Sequence, residues 1–73
     1  MPDTIRTKEY GMFIEKLKRA RGESGLRQID VAKLLKRTQS YVTRVESGEH
    51  RLDILELKKF AKAYKKEVSY FIK

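Results

Sequence analysis

The chain has 73 residues, with 18 Lys plus Arg against 10 Asp plus Glu and a formal charge of +8. At this length only about two-thirds of the unfolded surface is buried, which excludes a second core, so we read residues 1–73 as one domain, with residues 1–6 flexible. There is no Cys, which excludes disulfides, thiolate metal sites and redox centres, and no apolar run exceeds three residues, too short for a membrane span or a signal-peptide core. A soluble, cytoplasmic protein is expected, without membrane contact.

The only Pro is Pro2, and period-two alternation is missing, so the chain reads as all helix. A first helix is predicted over about 8–21, with Thr7 as N-cap, Phe13, Leu17 and Ala20 on one face, and Gly22 and Gly25 ending it. A second covers about 28–35, burying Val31, Ala32 and Leu35 and leaving Lys33 outside. After a short turn Thr38 caps a third helix over 39–47, stopped at Gly48, which tolerates a left-handed conformation. Asp53 and Glu56 form a capping box for a fourth helix, whose Ile54, Leu57, Phe60, Ala61 and Tyr64 share a face. Ser69 is expected to cap a last turn bearing Phe71 and Ile72. Five short helices, two of them separated by a tight turn, are the layout of a helix-turn-helix domain. At about 100° per residue, Val42 and Val45 face inward on the third helix, and Ser40, Thr43, Arg44 and Ser47 face outward. An outward face of small hydroxyls and one guanidinium suits the base edges of a major groove.

The segments LRQIDVAKLL, TQSYVTRVESGE and LDILELKKFAKAY followed by VSYFI resemble the phage-repressor and Cro type of helix-turn-helix domain, the xenobiotic-response-element-like (XRE) family. The likeness covers Leu26 to Ile72, and TQSYVTRVESGE carries most of its specificity. It implies a compact five-helix, lambda-repressor-like fold and DNA binding. It also implies that Gln28 contacts a phosphate and braces the recognition helix, that Gln39 and Ser40 reach bases with Thr43 and Arg44 behind them, and that Tyr41 lies against the sugar-phosphate backbone. A buried ion pair is implied between Arg21 and Glu46. The sequence departs from the family pattern at Lys36, where Gly is usual, at Arg37, usually apolar, and at Arg27, usually a Ser or Thr cap. A left-handed non-Gly residue costs about 1 kcal/mol, so a slightly altered turn is expected at Lys36.

Arg44 is the foremost candidate for sequence reading, because Arg to guanine is the commonest bidentate base contact. Gln39 either recognises adenine or braces Gln28, and Tyr41 is either a phosphate contact or partial core. Arg27 and Arg51 are candidate phosphate contacts. His50 is the sole His, too few ligands for a metal site, and no nucleophile with a shielded base is present, so neither a cofactor nor an enzyme is implied. Lys58, Lys59, Lys62, Lys65 and Lys66 read as the wet face of the fourth helix.

Three functions fit these features. The first is a sequence-specific transcriptional regulator, such as a repressor, on double-stranded DNA. The second is an antitoxin-type module that grips a toxin or other protein partner and binds DNA to regulate itself. The third is a basic adaptor without base readout. At the C-terminus Phe71 and Val68 can fold back, while one of Tyr70 and Ile72 stays at the surface. A homodimer on a palindromic site would cover it, as would a further region in a monomer.

Overall fold

The computed structural model describes residues 7–72. Those residues form five helices: α1 (Lys8–Glu23), α2 (Gln28–Leu35), α3 (Gln39–Ser47), α4 (Ile54–Ala63) and α5 (Val68–Ile72). The expected flexibility of residues 1–6 lies outside the described residues.

Local chemistry sets most helix starts. The Thr7 hydroxyl accepts the Tyr10 N–H at 3.1 Å, and the Thr38 hydroxyl accepts the Tyr41 N–H at the same distance. At α4, Asp53 accepts the Glu56 N–H at 2.8 Å, and the Glu56 carboxylate accepts the Asp53 N–H at 3.0 Å, which satisfies two otherwise orphaned donors. Arg27 has no side-chain acceptor, so only half a box forms at α2, where the Asp30 carboxylate accepts the Arg27 N–H at 2.8 Å.

Three expectations are corrected. Helix α1 runs through Gly22 to Glu23; the stop is Gly25, at φ 71°, where the Leu26 N–H reaches back to the Arg21 carbonyl. Gly22 holds helical geometry, so the conformation that only Gly takes cheaply is needed one turn later. Ile54 stands 54% exposed, because the first turn of α4 overhangs the core that Leu57, Phe60 and Ala61 enter. Ser69 sits inside α5 and does not cap it.

Between α2 and α3 the turn keeps the left-handed form despite the missing Gly: Lys36 adopts φ 57° and ψ 43°. Lys65, just past α4, is left-handed too at φ 58°, and each costs about 1 kcal/mol relative to Gly. Leu17, Ala20, Val31, Val42 and Val45 are wholly inaccessible, with Phe60 and Phe71 nearly so. Phe13 and Leu35 are half-buried at the core's edge. Helix α2 packs on α3 and α4, while α1 packs on α3 and α5. Helix α3 is thus gripped from two sides, and its remaining face is left to solvent.

Candidate nucleic-acid interface

Helix α3 turns Val42 and Val45 into the core and leaves Gln39, Ser40, Thr43, Arg44 and Ser47 exposed. Its C-terminal half is anchored by a charge cluster. Glu46 is only 6% exposed, and its carboxylate accepts Arg21 Nε at 2.7 Å and Arg21 Nη2 at 3.1 Å, a bidentate pair joining α1 to α3. The Arg21 guanidinium also donates to the Leu26 carbonyl at 3.1 Å. The Glu46 hydrogen bond holds the Arg21 pKa above its ordinary value despite partial burial.

Gln28 extends this cluster to the surface. Its Nε2 donates to Glu46 at 3.0 Å, and its Oε1 accepts the Thr43 hydroxyl at 2.8 Å, an orientation that satisfies both ends of the amide. One N–H of the amide is left unspent, and the Thr43 hydroxyl proton is used inside the protein.

The N-terminal half of α3 is held differently. Tyr41 is 3% exposed, and its hydroxyl donates to Glu56 at 3.0 Å. Burial first, then the Glu56 carboxylate, pushes the phenol up to about 12. Arg37 lies over the Tyr41 ring at 3.8 Å, so the departure from the apolar family position places a cation on an aromatic face. The same Glu56 oxygen meets His50 Nε2 at 3.0 Å. Burial works against the Glu56 charge, but the Asp53 N–H, His50 and the Tyr41 hydroxyl outweigh it and hold the carboxyl below its ordinary range.

Around this helix stand three cationic positions. Arg27 is exposed, paired with Asp30 at 3.0 Å. Its guanidinium, then its backbone N–H, draws the Asp30 carboxyl down to about 2. Arg51 lies over the Tyr10 ring at 4.9 Å in the loop after α3, and Arg37 stands before it. The Glu56 hub and the Gln28–Thr43 bond were not anticipated from the sequence, because their partners are 15 residues apart and only the packing of α2, α3 and α4 joins them.

A helix-turn-helix family model matches residues 17–71, from the middle of α1 to α5. The chain belongs to the XRE-type helix-turn-helix family. It is a DNA-binding transcription regulator with an all-α, lambda-repressor-like fold, in a family of DNA-binding regulators and not of enzymes. Comparison with curated proteins gives no match. In family terms α2 and α3 are the two helices of the motif, with α3 the recognition helix. Among the described residues no helix is long and apolar enough to cross a membrane.

Proposed function

We propose that this regulator is sequence-specific, a cytoplasmic, non-enzymatic protein that lays α3 in the major groove of an operator and represses by occupying it. The observation that carries the reading is the outward face of α3. It is solvent-exposed and free of large apolar side chains, on a helix clamped at one end by Arg21–Glu46 and at the other by Tyr41–Glu56. Arg44 reads guanine and Gln39 reads adenine, with Ser40 beside them. Thr43, its proton spent on Gln28, offers its methyl group to thymine. Arg27, Arg37 and Arg51, with the spare N–H of Gln28, fix the register on phosphates. Tyr41 acts as the platform under Arg37, its hydroxyl being occupied by Glu56.

In this reading the regulator works as a homodimer on a palindrome. Phe71 folds back into the core and Ile72 stays 63% exposed beside Met12 and Ile54, which are 56% and 54% exposed along one shallow groove. A two-fold partner covering that edge would set two recognition helices about 34 Å apart, one turn of DNA.

Selection of bound sites from random duplex DNA tests the reading, followed by Arg44→Ala on the selected site. Specific affinity should fall by about 1–3 kcal/mol and preference should relax at one base position. An unchanged preference, or no enriched site at all, refutes base reading.

A further inference from the structure

Away from α3, the C-terminal ends of α1, α2 and α4 meet around an open groove of about 870 Å³, with space for several apolar side chains. Leu34, Leu35 and Ala63 give it an apolar lining, Leu35 and Ala63 partly buried against the core and Leu34 with 58% of its surface in water. Five lysines line it: Lys36, Lys59, Lys62, Lys65 and Lys66. The one carboxylate in the lining, Glu23, is already paired with Lys66 at 3.0 Å. Among the described residues Lys36, Lys59, Lys62 and Lys65 have no acidic partner, so the groove holds an uncompensated cationic rim.

Part of that rim follows from local physics, since cations near helix C-termini complement the exposed carbonyls. The left-handed backbone at Lys36 and Lys65 is likewise an ordinary helix end, closed by the Arg37 N–H on the Ala32 carbonyl and the Lys66 N–H on the Ala61 carbonyl, but neither effect accounts for the exposed Leu34 or for Lys in place of Gly at both ends. Lys36 and Lys65 are the two left-handed non-Gly residues among those described, and both line this groove. Gly is the residue that takes this conformation without cost, and at neither helix end is it present. In both places the strained position carries a charge that Gly would not supply.

We propose that this groove docks an acidic amphipathic segment of a partner protein, with its apolar side chains on Leu34 and Ala63 and its carboxylates against Lys36, Lys59, Lys62 and Lys65. The alternative partner for lysines is DNA phosphate. Two observations favour protein: none of the lining residues belongs to α3, and a large exposed Leu gains nothing from a phosphate track. The regulator then carries two faces, one toward DNA and one toward a second protein.

The test uses the whole 73-residue chain and a short fluorescent helical peptide with Leu along one face and Glu on its flanks, beside a control with Lys for every Glu. The acidic peptide should bind and the basic one should not, with amide shifts centred on Leu34, Leu35, Lys36, Ala63 and Lys65. Lys36→Gly/Lys65→Gly relieves the strain, so it stays folded and melts higher, yet should weaken the peptide at least about tenfold. Leu34→Ser should weaken it similarly. Binding to a random-sequence duplex should keep its affinity and salt slope in both variants. Equal binding of acidic and basic peptides, shifts centred elsewhere, or peptide affinity unaffected by the variants would overturn the proposal. So would a DNA salt slope that drops by about 0.9 per lysine removed, which would make the groove a phosphate track.

Discussion

Replacing Glu46 with Ala is the most direct test of how the recognition helix is held. The substitution removes three acceptor contacts, two to Arg21 and one to Gln28, and leaves the guanidinium with the Leu26 carbonyl alone. Breaking a buried pair from one side costs about 3–5 kcal/mol. The Arg21 side chain is 23% exposed and its freed end rehydrates in part, so we expect the low end of that range, about 3 kcal/mol. In a domain of this size that lowers the melting temperature by roughly 12–24 °C. Total stability for such a chain is about 4–11 kcal/mol, so the variant should remain measurably folded in the cold. Urea unfolding followed by circular dichroism gives the loss. The companion variant Arg21→Met/Glu46→Met keeps the volume and removes both charges, and it should lose less than half as much. A fall of under about 5 °C for Glu46→Ala would show that the pair contributes little, and equal losses for the two variants would refute stranded charge as the cause.

Tyr64 is 3% exposed and its hydroxyl has no hydrogen-bond partner among the described residues, with burial pushing its pKa well up; Tyr64→Phe should therefore stabilise by about 1 kcal/mol, and a clear drop on thermal melting would reveal a hidden partner. The depressed carboxyls of Asp30 and Glu56 add stability that is fully present above their ordinary values of 3.8 and 4.5 and is lost as pH falls through their folded values, about 2 for Asp30. The melting temperature should accordingly fall between about pH 5 and pH 2, and Asp30→Asn should shrink that fall; an identical acid profile would remove Asp30 from the account. Ile72→Asp, at an exposed position, should leave the monomer folded but prevent pairing on a palindromic site in sedimentation, and a persistent two-to-one complex would move the dimer contact elsewhere.

What could be read from the sequence divides by the range of the interaction. Thr7, Thr38 and the Asp53–Glu56 box act within three residues of themselves, so these helix starts are written in adjacent letters. The inward pair Val42 and Val45 follows from helical period in the same way. Failures came where a third element decides. Ile54 is apolar and in phase with its face, yet the core ends before reaching it. Lys58, Lys59 and Lys62 were legible as the solvated face of α4, whereas Lys65 and Lys66, read as part of that face, lie past the end of the helix, Lys66 half-buried against Glu23; the groove that Lys59, Lys62, Lys65 and Lys66 share with Lys36 exists only because α2 and α4 end side by side. For α1, two glycines in one stretch offered two stopping points, and the Leu26 N–H bond back to Arg21 selects the later one.

The clamps on α3 have a consequence for how this protein could change. Everything that fixes the helix in space runs through Val42, Val45, Glu46, Tyr41 and Thr38, whereas Gln39, Ser40 and Arg44 show no side-chain bond to the rest of the described chain. The positions that would recognise an operator are therefore nearly independent of those that keep the domain folded, with Thr43, through Gln28, as the one coupling between the two sets. Surface substitutions of that kind usually alter stability by less than about 0.5 kcal/mol. New target preferences are thus within reach of single codon changes that the scaffold barely registers, and a library confined to Gln39, Ser40 and Arg44 would explore binding while folding stays constant.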